Sequence, residues 1–315
     1  MNKKMATVRR FVVGLDGGGT KTIALLVALD GTVISEAIGG PANLLTSGLS
    51  QTTKTIFGLV RECCKKADAS ADSIQAVVVG IAGAGRAADR AELIDKIFAM
   101  GIDKEFPIKN ITVETDAKIA LEAAFAGGPG IVVISGTGSI ALYRTEDQQL
   151  FRTGGWGRLL GDEGSGYSLA RDAINAVMRQ YDGRGDKTIL TQKALEYFTT
   201  TSVEEIIQRI YYQSITIEAF APKVLEAVAE RDHVAYKVMA DNVSQLVDHV
   251  RVLVMKSPPK RKLPVCLMGG LVESENPYSK LLRDRIRGAL PQVVIQKAKF
   301  PAAYGAVIIG LNAFR

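Results

Sequence analysis

Short apolar runs that end in glycine-rich turns recur along the chain, and their order predicts a layered architecture. Residues 74–81 form a nearly continuous apolar run, which is typical of a strand buried on both faces of a sheet. Shorter runs before and after it alternate with stretches of helical periodicity. The predicted elements of this half are two strands flanking the turn at 17–21, a strand at 32–37, a helix at 50–66, the strand at 74–81, a helix at 87–100, a strand at 111–114 and a helix at 116–125. This order predicts an α/β domain with a mixed sheet.

The second half begins after Gly127-Gly128-Pro129-Gly130, a cluster of chain breakers that marks a domain boundary. The strand-turn-strand pattern then returns at 131–143, which indicates a duplication. The remaining predicted elements are a strand at 150–153, a mainly helical insertion at about 165–256, a strand at 263–268, a helix at 277–290, a strand at 293–295 and a last helix from about 302. We therefore expect an N-terminal domain over 1–126, completed by 302–315, and a C-terminal domain over 127–301.

Composition narrows the class of protein without naming a function. The chain has 315 residues, enough for two domains, and is 47% hydrophobic and 23% charged with a net charge of +6. Its basic cluster at 256–262 contains no aromatic residues and predicts a surface loop, so we expect no nucleic-acid partner. No apolar run reaches the roughly 20 residues of a membrane span, no leader sequence is recognised, and the three cysteines have no metal-ligand spacing. These features predict a cytoplasmic protein without a membrane partner.

Two glycine-rich turns carry the first chemical signal. One consists of Asp16, Gly17, Gly18, Gly19, Thr20 and Lys21, and the other consists of Gly136, Thr137 and Gly138. Glycine exposes bare backbone N–H groups to an anion, and each turn also carries a hydroxyl group. A P-loop is excluded because Thr20 precedes Lys21 and a strand follows, and neither turn has the spacing of a Rossmann fingerprint. An ordinary hairpin explains either turn alone, whereas the pair predicts a polyphosphate site.

Three further residues have both a functional and a structural interpretation. Asp116 lies at a strand-to-helix junction, where it can serve as a general base or as a helix N-cap. Asn43 follows the third strand, where it can serve as a ligand contact or as a turn residue. Trp156, the only tryptophan, lies between glycines and therefore on a loop. The two histidines lie in helical stretches outside any motif, so acid–base chemistry is left to carboxylates.

Three motifs in order make the sequence resemble the N-acetylglucosamine kinase family. These are the 15–22 turn, the 135–139 turn, and Gly154-Gly155-Trp156-Gly157 followed by Gly161-Asp162-Glu163-Gly164-Ser165. The family lies within the actin-like sugar kinase superfamily, on the branch that also contains benzoyl-CoA-reductase-type ATPases. The resemblance implies two actin-like (ribonuclease H-like) domains with ATP and sugar in the cleft between them.

The resemblance also implies roles for individual residues. Asp16 is expected to handle Mg²⁺, and Asp116 to accept the proton of the sugar hydroxyl. ATP is expected to contact Gly17 to Lys21, Gly136 to Gly138, Gly269, Gly270 and Ser274, and for Ser274 a helix N-cap is the alternative. The sugar is expected to contact Asn43, Gly155, Trp156, Gly157 and Asp162, with Glu163 as a further candidate. The family also implies a homodimer.

The motifs and the resemblance are compatible with three functions. The first is transfer of the ATP γ-phosphate to the 6-hydroxyl of N-acetylglucosamine, and the second is the same reaction on glucosamine or another amino sugar. The third is an ATPase that activates a dehydratase or reductase, but Cys63 and Cys64 lie in a helical stretch without iron–sulfur spacing. A sugar-responsive repressor of the ROK type is not expected, because no helix-turn-helix precedes the first strand and the zinc-binding Cys/His motif of that class is missing.

Overall fold

The computed structural model describes residues 9–213, 215–258 and 262–314. The expected surface loop at 256–262 lies partly outside the described residues. Residues 1–8, on which the expected lack of a leader depends, also lie outside them. The described strands are β1 (Phe11–Gly17), β2 (Thr22–Ala28), β3 (Val33–Gly39), β4 (Ile74–Ile81), β5 (Ile111–Thr115), β6 (Gly130–Ser135), β7 (Ser139–Arg144), β8 (Leu150–Gly154), β9 (Leu263–Met268) and β10 (Val293–Gln296).

The helices vary from one turn to six turns in length. They are α1 (Gly48–Lys66), α2 (Ala87–Asp103), α3 (Asp116–Phe125), α4 (Gly166–Tyr181), α5 (Leu190–Phe198), α6 (Glu205–Tyr212), α7 (Ala221–Ala229), α8 (His233–Val254), α9 (Gly270–Glu273), α10 (Pro277–Ala289) and α11 (Ala302–Asn312). Two short 3₁₀ helices, Ala71–Ser73 and Ile217–Phe220, complete the described secondary structure.

One compact unit comprises residues 9–128 and 298–314. Its sheet has the order β3-β2-β1-β4-β5, in which β1, β4 and β5 are parallel and the β1-β2-β3 pairings are antiparallel. Helices α1 and α2 cover one face through residues such as Ile56 and Leu93. Helices α3 and α11 cover the other face, where Ile119 and Val307 belong to small apolar clusters.

Two glycines let α11 approach this unit closely. A Cβ on Gly14 of β1 would lie 2.6 Å from the backbone nitrogen of Val307, and a Cβ on Gly305 would lie 1.9 Å from the carbonyl oxygen of Ile119. No side chain fits at either distance. The backbone of α11 therefore packs directly on β1 and α3, which explains why the last helix belongs to the first unit.

The second unit comprises residues 129–297. Its sheet order, β10-β9-β6-β7-β8, repeats that of the first unit, with β6 in the place of β1 and the same parallel and antiparallel pairings. A single large core joins this sheet to the helices. The predicted helical stretch at 165–256 corresponds to α4 through α8. The predicted fold class, two α/β domains with mixed sheets and a helical insertion in the second, is confirmed.

Within the described residues, no helix has the length and apolarity needed to cross a membrane.

Candidate functional site

The carboxyl ends of three parallel strands assemble the candidate catalytic residues of the first unit. Asp16 near the end of β1 pairs in register with Gly80 of β4, which pairs with Glu114 of β5. Asp116 starts α3 directly after β5. Because parallel strands end at the same sheet edge, Asp16 and Asp116 come to the same edge, where ligands bind in open α/β sheets.

The charge of Asp116 affects the pKa of Asp16. Burial, and next the negative charge of Asp116, raise the pKa of Asp16 to about 6, against an opposing effect of Lys21. Burial also raises the pKa of Asp116, and the backbone N–H groups of Ala117 and of Asp116 itself oppose this rise. Carboxyl pKa values raised by burial and by a second acid are typical of functional sites.

Asp116 is not a helix cap. The N-cap of α3 is Thr115, whose side-chain oxygen accepts a hydrogen bond from the N–H of Lys118 at 3.2 Å. The Asp116 carboxylate accepts only local backbone bonds, including one from the N–H of Ala117 at 2.9 Å. The capping interpretation is therefore wrong, and this partly buried carboxylate has no structural side-chain partner in the described part of the chain.

The first glycine-rich turn exposes backbone donors. Gly18 donates its N–H to the carbonyl of Lys21 at 3.1 Å, which closes the turn, whereas the N–H groups of Gly19 and Thr20 have no acceptor among the described residues. Space around Gly19 is open, because a Cβ there would meet no atom within 4 Å. Exposed Thr20 adds a hydroxyl and exposed Lys21 adds a positive charge. These groups fit a phosphate.

Asn43 lies beside this turn and uses its side-chain oxygen locally. That oxygen accepts hydrogen bonds from the N–H of Leu45 at 2.9 Å and of Thr46 at 3.3 Å, the geometry of an Asx turn. Its backbone bridges to Ala82 after β4. The structural interpretation of Asn43 is therefore correct for its oxygen, while its amide nitrogen makes no hydrogen bond within the described chain.

The second glycine-rich turn has the same position in the second unit. The N–H of Gly136 donates to the carbonyl of Gly138 at 3.0 Å, and the carbonyls of Gly136 and Thr137 accept from the N–H groups of Gly166 and Tyr167. The first N–H groups of α4 are therefore satisfied by the turn itself. Thr137 remains exposed, and a Cβ on Gly136 would meet no atom within 4 Å.

A compact loop at 155–162 follows β8. Gly155 and Gly157 have φ values of +70° and +83°, and the carbonyl of Gly157 accepts hydrogen bonds from the N–H groups of Leu160 and Gly161. Trp156 is 64% exposed, in agreement with the loop position expected for it, and the Arg152 guanidinium lies 4.1 Å from its ring centroid. Large apolar side chains on this loop therefore face outward.

Asp162 connects this loop to the second turn. Its carboxylate accepts backbone N–H bonds from Ser139 and Gly157, and a Cβ on Gly138 would lie 2.9 Å from its Oδ2. Burial raises the pKa of Asp162, while those two N–H donors oppose the rise. The backbone of Asp162 is also left-handed, with φ of +58°. Asp162 thus has a structural role at the point where the resemblance implies a sugar contact.

A histidine that the sequence left outside any motif lies beside this loop. The Nε2 atom of His249 on α8 is 3.8 Å from Oε2 of Glu163, and the side chain of His249 is 15% exposed. A Cβ on Gly154 would lie 2.5 Å from Cε1 of His249. No local motif marks His249, since its contacts come from residues about ninety positions away along the chain.

The predicted adenosine-side residues follow β9. Gly269 has φ of +100°, and a Cβ on it would lie 2.5 Å from the carbonyl oxygen of Ser135, so the end of β9 lies against the second turn. Gly270 starts α9. Ser274 is exposed and makes no side-chain hydrogen bond within the described residues, and the N-cap of α10 is Asn276 rather than Ser274. The capping interpretation of Ser274 is therefore wrong.

The carboxylates of the first unit fit Mg²⁺. The described residues contain no group of three or more His, Cys, Asp or Glu side chains arranged for a metal ion. Mg²⁺ with a nucleotide needs only one or two carboxylates, because phosphates and water supply its other ligands. The electrostatic repulsion between Asp16 and Asp116 would be relieved by a cation, so the donor set fits the ion.

Comparison with known proteins gives a consistent assignment. The chain is 33% identical over 304 residues to the N-acetylmuramic acid/N-acetylglucosamine kinase of Clostridium acetobutylicum, covering 95% of this chain and 98% of that one. It is 28% identical over 319 residues to the N-acetyl-D-glucosamine kinase of Dictyostelium discoideum, covering 97% and 99%. A Chromobacterium violaceum structure, provisionally named an N-acetylglucosamine kinase, superposes with a TM-score of 0.76 at 27% identity, covering 96% and 99%.

The paired five-stranded sheets, with a glycine-rich turn after the first strand of each, have the fold of the actin-like sugar kinases. Together with the two kinase relatives, this fold places the chain in the class of ATP-dependent sugar kinases. Within that class, residues 13–310 match one family model. The chain belongs to the BadF/BadG/BcrA/BcrD ATPase family.

Proposed function

We propose that the protein transfers the γ-phosphate of ATP to the 6-hydroxyl of N-acetylglucosamine, with Asp116 as the general base. The observation that carries this proposal is the pair of partly buried carboxyl groups, Asp16 and Asp116, at one sheet edge, beside a turn whose N–H groups at Gly19 and Thr20 have no acceptor among the described residues. The names of the two relatives described above support the choice of an N-acetylated amino sugar.

The reaction divides the work between the two acids. Asp116 accepts the proton of the 6-hydroxyl while that oxygen bonds to the γ-phosphorus, and the bond from phosphorus to the β-γ bridging oxygen breaks to release ADP. Burial raises the pKa of Asp116, which brings the basicity of its carboxylate closer to that needed at neutral pH. Because Thr115 caps α3, the Asp116 carboxylate is not engaged as the cap and would be available to accept this proton.

The remaining groups bind and orient the two substrates. Asp16 would hold Mg²⁺, which when bound neutralises charge on the phosphates. The N–H groups and hydroxyl of the first turn and Thr137 of the second would contact the phosphates of ATP, and Gly269, Gly270 and Ser274 would contact its adenosine part. The Asn43 amide, Gly155, Trp156, Gly157 and Asp162 would contact the sugar.

The test is the Asp116→Asn variant, with exposed Asp95→Asn on α2 as the matched control. Turnover of Asp116→Asn should fall by about 10² to 10⁴, the usual contribution of a general base, while calorimetry should find nearly unchanged affinity for a non-hydrolysable ATP analogue. The Asp95 variant should match the wild type in both measurements. A turnover within a few-fold of wild type for Asp116→Asn would remove this residue from the mechanism.

The identity of the sugar is tested separately with glucose, glucosamine and N-acetylglucosamine in a coupled assay. A highest specificity constant on glucosamine would favour the second function over the first. N-acetylmuramic acid belongs in the same assay, since one relative is named for it and the exposed Arg152 and Arg158 have no carboxylate partner within the described residues. Their guanidinium groups would pair with its carboxylate.

The electron-transfer ATPase is the alternative from another class. Cys63, Cys64 and Cys266 are all buried, and burial raises the pKa of Cys63 to about 11. None is therefore positioned as an accessible thiolate ligand. A purified protein that contains no iron would agree with the kinase proposal, and stoichiometric iron–sulfur absorbance would contradict it. The homodimer and the cytoplasmic location remain predictions.

A further inference from the structure

The imidazole of His249 packs against the start of the loop at 155–162, the loop that is proposed to contact the sugar. Gly154 and Gly155 both have positive φ, and the space where a Gly154 side chain would lie is filled by the His249 ring, 2.5 Å from an added Cβ. The Thr153 hydroxyl donates to the His249 carbonyl at 3.3 Å. Helix α8 is therefore joined to the end of β8 at the point where the chain turns into the loop.

The same ring faces the carboxylate of Glu163. Nε2 of His249 is 3.8 Å from Oε2 of Glu163, and neither this Oε2 nor Nδ1 of His249 has a hydrogen-bond partner among the described residues, although both atoms are buried. Leaving a buried polar atom without a partner costs about 1–3 kcal/mol, so such an atom needs an explanation. A hydrogen bond between Nε2 and Oε2 requires only that they approach to about 3 Å.

The buried ring selects one protonation state. Burial lowers the pKa of His249, against opposing effects of Glu163 and Asp248, and Asp248 is itself paired with Arg251. A proton on Nδ1 would be a buried donor without an acceptor, and it would leave Nε2 as an acceptor facing the acceptor Oε2 of Glu163. The neutral tautomer with hydrogen on Nε2 therefore fits the site, and it directs its one N–H toward Glu163.

Glu163 follows the loop at 155–162 and is also connected to the second glycine-rich turn. Its carbonyl accepts a hydrogen bond from the Ser139 hydroxyl at 2.7 Å, next to the second glycine-rich turn. Its side chain is 40% exposed although Oε2 is buried, so solvent reaches other atoms of this side chain. A carboxylate held by one oxygen can accept hydrogen bonds from the hydroxyl groups of a sugar with the other.

We propose that His249 is a positioning residue for sugar binding, which fixes the Gly154-Gly155 turn by contact and holds Oε2 of Glu163 so that its other oxygen accepts a sugar hydroxyl. This inference rests on the proposed sugar kinase function. His249 acts through its neighbours and does not touch the reacting atoms.

The experiment compares His249→Gln, His249→Ala and Glu163→Gln in steady-state kinetics with each substrate varied. The control is His233→Gln, because His233 is the other histidine of the chain and is 70% exposed on the same helix. His249→Ala should raise the KM for the sugar about tenfold with the KM for ATP unchanged. His249→Gln, which retains a side-chain N–H, should recover most of this loss, and His233→Gln should match the wild type.

Two further readouts separate positioning from a merely structural role. In the wild type the KM for the sugar should rise at acidic pH, as protonation places a donor on buried Nδ1, and this rise should be smaller in His249→Gln, in which Asp116 and Asp162 still titrate. The effects of His249→Ala and Glu163→Gln on the sugar KM should be less than additive when the two are combined, because both changes remove the same contact between the imidazole and the carboxylate. Additive effects, or equal increases in both KM values, would overturn the inference.

Failure of the proposed function would look different. A wild-type protein that phosphorylates no sugar would refute the kinase proposal itself, and with it this inference. A wild-type protein that phosphorylates an amino sugar, together with a His249→Ala variant that is folded by circular dichroism and has an unchanged sugar KM, would overturn only the role of His249.

Discussion

Replacing Asp16 by asparagine should stabilise the protein at neutral pH while abolishing its activity. The pKa of the Asp16 carboxyl is raised from 3.8 to about 6, first by burial and next by the charge of Asp116. One pKa unit corresponds to about 1.4 kcal/mol, so ionised Asp16 destabilises the native state at pH 7 by up to roughly 3 kcal/mol. Asparagine has nearly the same shape and carries no charge, and therefore this cost disappears in the variant.

The sign of the pH dependence follows from proton binding. Between pH 3.8 and about 6 the native Asp16 carboxyl holds its proton while the same group in the unfolded chain has lost it. Stability from this group is therefore present below pH 3.8, falls as the pH rises through this window, and is gone above about pH 6. The advantage of Asp16→Asn should be about 1 kcal/mol at pH 4.5 and about 3 kcal/mol, its full size, at pH 7.5.

The assay is thermal unfolding without ligand at these two pH values. A gain of 1 kcal/mol raises the Tm of a 150–250-residue domain by about 2–4 °C, so the full effect at pH 7.5 is roughly 6 °C or more. Asp95→Asn on exposed α2 controls for the loss of one negative charge. In the Asp116→Asn background the gain from Asp16→Asn should shrink, because part of the repulsion is already removed. Equal Tm changes for the Asp16 and Asp95 variants at pH 7.5, or a pH-independent gain, would refute the reasoning.

Two glycine substitutions test the packing. Gly305→Ala should lower the free energy of unfolding by several kcal/mol, because its Cβ would lie 1.9 Å from the Ile119 carbonyl oxygen. The control is Gly288→Ala in α10, whose Cβ meets no atom within 4 Å and which should raise the free energy of unfolding by about 0.5–1 kcal/mol. Urea unfolding measures both variants, and a Gly305→Ala variant as stable as the wild type would contradict the close packing of α11. Gly138→Ala should raise the KM for ATP and the KM for the sugar together, because its Cβ would lie 2.9 Å from Oδ2 of Asp162. The Asp162 carboxylate accepts N–H bonds from Ser139, beside the second glycine-rich turn, and from Gly157 in the loop at 155–162. A change in only one of the two KM values would argue against this connection.

Much of the fold could be predicted because apolar periodicity and chain breakers agreed with each other. The strand at 74–81 and the helix at 116–125 have the predicted bounds. The former is a nearly continuous apolar run, and the latter lies between a short strand and the breakers that follow residue 126. The one-turn helix Gly270–Glu273 was not predicted, because four residues are too few to show helical periodicity.

The candidate site could be predicted less completely, because several of its features depend on backbone geometry and distant contacts. Thr115 and Asp116 are both good N-cap residues, and only the extended backbone of Thr115, with ψ of 152°, assigns the cap to it. Likewise, the Asx turn of Asn43 depends on the path of the following residues. His249 has no signal in the sequence near it, since α8 brings it to Glu163 and Gly154 only through the fold.

The duplicated scaffold separates what the turns share from what distinguishes their chemistry. In each unit the turn carbonyls are satisfied by backbone N–H groups from elsewhere in that unit, Ala42 and Ala82 for the first and Gly166 and Tyr167 for the second. The carboxylates beside the two turns differ, however. Asp162 accepts two backbone N–H bonds that stabilise its charge, whereas no described group donates to Asp16, whose charge is opposed by burial and by Asp116. A cation would gain most at Asp16, so metal-bound phosphate would favour the first turn, while Asp162 joins the second turn to the loop at 155–162.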